Sequence, residues 1–220
     1  MALSVVIPAL NAAATLPASI AALLRLPGEV VVIDGGSTDG TAEVAARLGA
    51  LVVSAPRGRG RQLAAGVAAA RGDWLLLLHA DTVLSPGWAA VAYRFMAENP
   101  DKAGYFRFVL DADEPQARTL ERRVAWRCRR FGLPYGDQGL LIPRTLLGDI
   151  GGIADLPLME DVDLVRRIGR ARLVALEADA VTSAARYRRD GWRARSLRNL
   201  LCLALYFLRV PPRLIVRLYG

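Results

Sequence analysis

Short apolar runs alternate with alanine-rich amphipathic stretches from residue 4 to about residue 110. The apolar runs have the length and the β-branched content of strands, and they comprise SVVIP, EVVVID, LVVSAP, WLLLLH and YFRFVL. The stretches between them have apolar residues at helical spacing, which predicts helices at Thr15–Leu26, Thr41–Leu48, Arg61–Ala70 and Pro86–Glu98. Strands that are apolar on both faces and separated by helices favour a mostly parallel, Rossmann-like α/β sheet flanked by helices.

The second half of the chain is less regular. A charged helix is predicted from about Gln116 to Arg130, followed by the glycine-rich stretch YGDQGLLIPR, by GGIADLPLMEDVDLVRRIG and by an arginine-rich tail. Because no Pro/Ser-rich linker separates the halves, we expect one domain over residues 1–185. Residues 186–220 are expected to form a basic helical segment that packs on this domain, on a dimer partner or on a membrane surface.

Polar groups follow four consecutive predicted strands at the point where each strand ends. They lie at residues 8–11, 34–39, 54–61 and 79–81. Ligands of such sheets bind at the carboxyl ends of the strands. We therefore expect these groups to share one edge of the sheet and to form a site there.

The net charge of the chain indicates anionic partners. Its 220 residues carry a formal charge of +8, and Lys102 is the one lysine among 29 basic side chains. A surface this basic attracts phosphate, whether in nucleotides, in nucleic acid or in anionic lipid. Cys128 and Cys202 show no metal-ligand spacing, so we expect reduced thiols in a cytoplasmic protein.

Neither end of the chain predicts a leader or a membrane span. The N-terminal sequence MALSVVIPALN lacks the basic start and the long apolar stretch of a signal peptide. The runs WLLLL and LLCLALYFL are far shorter than the roughly 20 residues that a spanning helix needs. We expect no transmembrane helix.

The turn VVIDGGSTDGT combines acids, hydroxyls and glycines directly after the second predicted strand. Its glycines allow a ligand to approach the backbone closely, and Asp34 can accept hydrogen bonds from a base or a ribose. Asp34, Gly36 and Ser37 are therefore candidate nucleotide-binding residues. The alternative is a tight turn in which Ser37 or Thr38 caps the next helix.

A basic loop, PRGRGRQLAAG, precedes the third predicted helix. It presents Arg57, Arg59 and Arg61 where backbone N–H groups and the helix dipole already favour an anion. This arrangement is typical of a phosphate site, and the alternative is a solvated basic loop.

The single histidine of the chain, His79, lies beside Asp81 at the end of the fourth predicted strand. Asp81 can ligate a hard divalent cation, which would neutralise a diphosphate held by the basic loop. His79 would then support the metal or contact phosphate. The alternatives are a hydrogen-bonded strand-end histidine and an Asx turn at Asp81.

The segment LMEDVDLVRRIG opens a helix with Glu160, Asp161 and Asp163. Acids in a first turn are favourable because of the helix dipole alone. Near a bound nucleotide, the Glu160–Asp161 pair could instead take a proton from an incoming hydroxyl.

As an ordered set, VVIPALN, VVIDGGSTDGT, ARGDWLLLLHADT, GDQGLLIPR, GGI and MEDVDLVRR resemble the family 2 glycosyltransferases, which have the A-type nucleotide-sugar fold. The resemblance covers roughly residues 3–170. The details LHADT and GDQG resemble most a bacterial subgroup of small members, the transferase 2 proteins associated with radical-SAM and selenium-related genes.

The resemblance implies roles for single positions. Asp34 would contact the base, and Asp161, paired with Glu160, would be the catalytic base. The family's D-x-D motif is His79-Ala80-Asp81 here, so Asp81 keeps the role of binding metal and diphosphate. Ala64 stands where the family has an asparagine, and Gln62 is a candidate substitute. The implied nucleotide-binding residues are Pro8, Ala9, Asn11, Asp34, Gly36, Ser37, Arg59, Arg61, Gln62, His79, Ala80 and Asp81, and Gly136, Asp137 and Gln138 are implied to hold donor sugar or acceptor.

The implied activity is transfer of a sugar from a UDP- or GDP-sugar to an unknown acceptor hydroxyl, dependent on Mg²⁺ or Mn²⁺. It would proceed by a single displacement with inversion. Asp161 would deprotonate the hydroxyl, while the metal at Asp81, with Arg59 or Arg61, stabilises the leaving diphosphate. A homodimer and a peripheral contact with the inner face of the membrane are further expectations, whereas nucleic acid is not an expected partner.

Two alternatives from other classes remain open. A nucleotidyltransferase on a related fold would carry a glycine-rich basic loop after the first strand, where this chain has PALNAAATL. A non-catalytic module that binds membrane or nucleic acid is supported by the basic stretch ARYRRDGWRARSLRN, but it would leave the groups at the strand ends unexplained.

Overall fold

Eight strands pair into one sheet in the computed structural model, which describes residues 1–23 and 28–219. In chain order they are β1 (Leu3–Ala9), β2 (Gly28–Asp34), β3 (Leu51–Ser54), β4 (Trp74–Leu77), β5 (Thr82–Leu84), β6 (Ala103–Leu110), β7 (Leu140–Pro143) and β8 (Leu173–Thr182). Across the sheet the order is β3-β2-β1-β4-β7-β6-β8-β5.

Helices flank this sheet throughout the described residues. They are α1 (Leu16–Ala21), α2 (Thr41–Arg47), α3 (Arg59–Ala69), α4 (Trp88–Glu98), α5 (Pro115–Phe131), α6 (Arg144–Asp149), α7 (Glu160–Ile168), α8 (Ala185–Asp190), α9 (Trp192–Phe207) and α10 (Pro212–Tyr219). The predicted second to fifth helices begin and end within two residues of α2 to α5.

Two predicted helix boundaries differ from the structure. The first helix was predicted to reach Leu26, but α1 ends at Ala21, and Leu24 and Leu26 lie outside the described residues. The fourth helix begins at Trp88 and not at Pro86, because Gly87 has a left-handed backbone with φ of 85°. That conformation ends the preceding turn and starts the helix after it.

The mostly parallel sheet predicted from the sequence is confirmed. Strand β1 pairs in parallel with β2 and β4, β2 pairs in parallel with β3, and β6 pairs in parallel with β8. The sequence prediction missed β5, β7 and β8. Strand β7 is four residues long inside a glycine-rich stretch, yet it lies between β4 and β6 and is antiparallel to both.

Alternate residues of the central strands pack into two separate cores. On β1, Val5 and Ile7 belong to one hydrophobic cluster and Val6 to the other. On β4, Leu76 faces the first cluster while Leu75 faces the second, and both are fully buried. Burial on both faces explains why these strands are continuous apolar runs in the sequence.

The C-terminal helices pack on α7. Cys202 of α9 and Ile215 of α10 are fully buried in a cluster with Leu158, Met159 and Val162. Within residues 1–23 and 28–219, Cys128 and Cys202 are free and buried, and no helix combines the length and the apolarity needed to cross a membrane.

Candidate active site

The strand order creates a crevice between β1 and β4. The chain adds β2 and β3 on one side of β1 and then places β4 on the other side, which is the switch point where ligands bind in open α/β sheets. Because β7 is antiparallel to β4, its amino end lies at the same edge as the carboxyl ends of the parallel strands. The groups predicted at residues 8–11, 34–39, 54–61 and 79–81 therefore share an edge with the turn at 136–138 and with the end of β8.

The loops after β1 and β2 are joined by hydrogen bonds. The Asn11 N–H donates to Ser37 Oγ at 2.9 Å, and the Thr38 N–H donates to Asn11 Oδ1 at 2.9 Å. The Asp34 carboxylate accepts the N–H groups of Gly36 at 3.2 Å and Ser37 at 3.1 Å. These bonds make a braced turn, and neither Ser37 nor Thr38 caps a helix, because α2 follows Gly40.

The basic loop directs its side chains to different places. Arg59, the first residue of α3, lines the large cavity described below, and the carboxylates of Glu160, Asp161 and Asp81 raise its pKa although burial alone would lower it. Arg61 is exposed and forms an ion pair with Asp155 at 2.8 Å. Arg59 is thus the loop arginine that faces the acidic groups.

Gln62 is buried behind the basic loop. Its Nε2 donates to the carbonyl oxygens of Ala9 at 2.8 Å and Ile33 at 2.9 Å. Both donor hydrogens of the amide are therefore used to hold the ends of β1 and β2 together. Gln62 therefore has a structural role at this edge, which is not visible in the sequence.

The segment His79-Ala80-Asp81 follows β4 at the carboxyl edge of the sheet. His79 and Asp81 line the large cavity together with Arg59, whereas Ala80 packs on the core and its carbonyl accepts the Ser19 hydroxyl at 3.0 Å. Burial and the guanidinium groups of Arg59 and Arg186 lower the pKa of His79 well below 6.5. The imidazole is consequently neutral at pH 7.

Gly136 brings His79 and Asp161 together. Its N–H donates to Asp161 Oδ2 at 2.8 Å. A side-chain Cβ at this position would lie 2.6 Å from His79 Nε2 and 3.2 Å from Asp161 Oδ2. The other Asp161 oxygen accepts the Val162 N–H at 2.7 Å. The ring and the carboxylate therefore flank a residue that has no side chain, and Asp161 is held in one orientation.

Two further acids beside Asp161 carry buried oxygens that have no hydrogen-bond partner among residues 1–23 and 28–219, namely Asp137 Oδ1 and Glu160 Oε2. Burial and the neighbouring Asp161 raise the pKa of Glu160 to about 7. Burial also raises the pKa of Asp137 to about 6, with Asp161 adding to the rise and Arg127 opposing it. Both carboxyl groups are poorly solvated, which is typical of functional sites.

Gln138 does not reach the cavity. Its Nε2 donates to the Phe106 carbonyl at 3.0 Å, and its Oε1 accepts the Tyr135 N–H at 3.3 Å and the Cys128 thiol at 3.2 Å. The side chain is buried and fixes the turn at 136–138. Gln138 therefore positions Gly136 and Asp137, which do line the cavities at this edge.

The residues present fit a hard divalent cation that is shared with a substrate. Asp81 offers carboxylate oxygen, and the unpartnered oxygens of Asp137 and Glu160 make the surroundings electronegative. In the described part of the chain, no three His, Cys, Asp or Glu side chains are grouped so that they could hold a metal by themselves. This matches Mg²⁺-type sites, in which one or two carboxylates bind the ion and substrate phosphates and water complete its shell.

A cavity of about 950 Å³ opens from this edge and is closed on one side by the C-terminal segment. Pro8 lies in a smaller pocket beside it, with His79, Glu160 and Asp161. Other residues line the large cavity without having been predicted as part of the site. No motif marks Arg127 and Tyr135, whereas Arg186, Tyr187 and Arg195 belong to the basic stretch ARYRRDGWRARSLRN, which the sequence links to membrane or nucleic acid.

Residues 4–154 match the family model described as glycosyl transferase family 2. Uncharacterized glycosyltransferases of Mycobacterium tuberculosis and Mycobacterium bovis are 44% identical to this chain over 87 residues. That match spans 39% of this chain and 39% of the length of each curated relative.

Solved structures share the fold. Staphylococcus aureus TarS (residues 1–349) has a TM-score of 0.67 at 16% identity, over 100% of this chain and 69% of that one. A mannosyltransferase from Pyrobaculum calidifontis, in complex with GDP-Man and Mn²⁺, has a TM-score of 0.65 at 19% identity, over 93% and 64%. Glucosyl-3-phosphoglycerate synthase from M. tuberculosis has a TM-score of 0.57 at 23% identity, over 82% and 70%.

Proposed function

The chain belongs to glycosyltransferase family 2, and from this premise we propose that it transfers a sugar from a nucleoside-diphosphate sugar to an acceptor hydroxyl. The observation that carries the proposal is that Arg59, Asp81 and Asp161 line one cavity at the β1/β4 switch point. A donor of the UDP- or GDP-sugar type is supported by the structural relatives, one of which holds GDP-Man and Mn²⁺ and another UDP-Glc and Mn²⁺.

We propose that the donor nucleoside lies on the loops after β1 and β2. The ends of these two strands and the loops after them contribute Pro8, Ala9, Asn11, Asp34, Gly36 and Ser37. Asp34 and Ser37 already support their own turn, so the nucleoside would meet a preformed surface. Preformed sites lose less conformational entropy when they bind.

The diphosphate would lie between Arg59, His79 and Asp81. Arg59 offers a charged donor fork, and the neutral imidazole of His79 offers one N–H. Asp81 would hold Mg²⁺ or Mn²⁺, which, when bound, supplies Lewis-acid stabilisation of the leaving diphosphate. Arg61 would act indirectly, because it is paired with Asp155.

Asp161 would accept the proton of the acceptor hydroxyl. The resulting oxygen attacks the anomeric carbon while the bond from that carbon to the diphosphate breaks, which releases the nucleoside diphosphate and inverts the configuration. Glu160 lies beside the base and, with a pKa of about 7, is largely protonated below that pH. Gly136 and Asp137 would contact the donor sugar or the acceptor.

Four finer assignments belong to the same proposal. LHADT and GDQG support membership of the transferase 2 subgroup associated with radical-SAM and selenium-related genes. Residues 1–185 would form the catalytic domain and residues 186–220 a basic helical segment on it. Exposed leucines and arginines of α9 and α10 support a peripheral contact with the cytoplasmic face of a membrane, and a homodimer would use the same surface.

The test separates the two key acids. Calorimetry with UDP and GDP, with and without Mn²⁺, should show metal-dependent binding that Asp81→Asn weakens and Asp161→Asn leaves near wild type. Asp161→Asn should slow transfer by about 10² to 10⁴, the usual contribution of a general base. Asp101→Asn, at an exposed position before β6, is the matched control. Absence of nucleoside-diphosphate binding under every metal condition would overturn the proposal.

A further inference from the structure

The large cavity has room for a second ligand beside a nucleotide sugar, and part of its wall is apolar and basic. Its volume of about 950 Å³ is at the upper end of the range for small-molecule sites. Asp81, Asp137 and Asp161 occupy one part of its wall, whereas α5 and α9 form another part. This second part offers space for an acceptor beside the donor.

Four large apolar side chains of this second part are exposed to solvent, and we call them the apolar rim. They are Trp126 at 56%, Phe131 at 49%, Leu200 at 61% and Phe207 at 44% relative exposure, and all line the cavity. Isolated exposed apolar residues are ordinary, but a contiguous group that lines a cavity marks a binding surface.

Five arginines line the same cavity as the rim residues, and we call them the arginine group. They are Arg123, Arg127, Arg166, Arg170 and Arg186. Within residues 1–23 and 28–219, none of these five forms an ion pair with a carboxylate. The two groups meet at Arg166, whose guanidinium lies 5.1 Å from the centroid of the Phe207 ring.

We infer that this wall binds the acceptor and that the acceptor is an anionic membrane lipid. Its phosphate would lie among the arginine group, and its apolar chain would lie on the apolar rim. The positive charge of the arginines attracts an anion, and the exposed rim binds an apolar group. An amphiphile with an anionic head and an apolar chain can bind to both. The inference rests on the proposed transferase function and names the class of its acceptor.

The residues beyond the rim have the composition of a membrane-binding surface, which favours a lipid that comes from a bilayer. Leu197, Leu201 and Leu208 of α9 and its C-terminal turn are between 49% and 75% exposed. Exposed arginines, including Arg193 and Arg209, lie near them in sequence. Apolar and basic residues combined in this way bind anionic membrane surfaces. A lipid could therefore enter the cavity from the membrane on which α9 lies.

A soluble amphiphile tests the inference without knowledge of the natural lipid. Dodecyl phosphate, titrated below its micelle concentration, should bind saturably and shift the tryptophan emission. That shift should be lost in Trp126→Phe, since Trp74 and Trp88 are buried at 4% exposure and Trp192 is half-buried against Tyr187. Dodecyl maltoside and inorganic phosphate should each bind at least tenfold more weakly. If either control binds as tightly as dodecyl phosphate, the protein recognises only the apolar chain or only the phosphate, and the inference is overturned.

Variants locate the binding. Leu200→Ser and Arg123→Gln should each weaken dodecyl phosphate binding about tenfold. Leu197→Ser on the same helix and Arg122→Gln beside Arg123 do not line the cavity and should leave it unchanged. All four positions are exposed, so melting temperatures should stay near wild type. If the two controls lose as much affinity for dodecyl phosphate, the ligand does not bind to the wall formed by the apolar rim and the arginine group.

Co-sedimentation with vesicles distinguishes the source of the ligand. Phosphatidylglycerol vesicles should retain the protein and phosphatidylcholine vesicles should not, and Leu51→Ser, at an exposed position on β3, should leave retention unchanged. A stable dimer that Leu200→Ser dissociates, together with no lipid binding, would overturn the inference in favour of a second copy. If UDP binds with Mn²⁺ while dodecyl phosphate does not bind, only the acceptor inference fails; the reverse result refutes the transferase proposal.

Discussion

Replacing Gly136 with alanine tests how closely His79 and Asp161 are held together. The added Cβ would lie 2.6 Å from His79 Nε2 and 3.2 Å from Asp161 Oδ2. Non-bonded heavy atoms at their optimal separation are about 3.5 Å apart or more, so the ring or the turn must move by about 0.9 Å. Gly136 has no left-handed backbone, which means that the strain is one of contact and not of conformation.

The expected cost follows from that displacement. Overpacking of this kind costs about 1–3 kcal/mol, which for a domain of this size lowers the melting temperature by roughly 2–12 °C. A displacement near 1 Å at a reacting group can slow a reaction by about 10²-fold. We therefore expect Gly136→Ala to lose transfer activity to a larger extent than it loses nucleotide affinity.

Gly148→Ala is the matched control, because no atom of the described part of the chain lies within 4 Å of a Cβ at that position in α6. Calorimetric melting curves and transfer rates of the two variants should be compared under one set of conditions. If Gly136→Ala melts within a degree of Gly148→Ala and keeps its transfer rate, the contact between His79, Gly136 and Asp161 is not tight, and the orientation assigned to Asp161 is wrong.

Three further predictions follow from the site and its surroundings. Burial and Asp161 raise the pKa of Glu160 to about 7, so the stability that this group contributes is full below about pH 4.5 and is lost as pH rises through 7. Between pH 5 and 8 the melting temperature should therefore fall less steeply for Glu160→Gln than for wild type. The control Glu98→Gln, at an exposed site, should behave like wild type. Arg186→Ala should weaken dodecyl phosphate binding by about tenfold, the value of one charge-assisted contact, whereas Arg189→Ala, which removes a surface pair with Asp190, should leave that calorimetric affinity unchanged. Ile215→Ala should cost about 2–5 kcal/mol in denaturant unfolding because the side chain is fully buried, and a cost no larger than that of the exposed Val216→Ala would show that α10 does not pack on the domain.

The sequence alone determined the arrangement of the nucleotide half. Apolar periods and turn glycines are local signals, and they placed β1 to β4 and α2 to α5 within a few residues. The rule that parallel strands present their carboxyl ends at one edge then placed Asp34, Arg59 and Asp81 at the same edge of the sheet. Burial on both faces of the sheet, which the continuous apolar runs predicted, is present in the two cores.

Only the tertiary structure decided which side chains face the site. Arg59 and Arg61 are equivalent in the sequence, but they are two positions apart at the start of a helix. Arg59 faces the carboxylates of Asp81 and Asp161, whereas Arg61 pairs with Asp155 outside the cavity. Gln62 and Gln138 have the composition of ligand-binding residues, yet their amides are used on backbone carbonyls of strands distant in the chain.

The remaining features depend on contacts between residues that are far apart in the chain. Strand β7 lies between β4 and β6 because it pairs with both, and this pairing cannot be predicted from its own four residues. The proximity of His79 to Asp161 depends on the missing side chain of Gly136, and the cavity wall depends on α9 packing against α7. Local patterns determine elements and their edges, whereas long-range packing determines orientation, because each side chain's direction is selected by neighbours that the sequence alone does not identify.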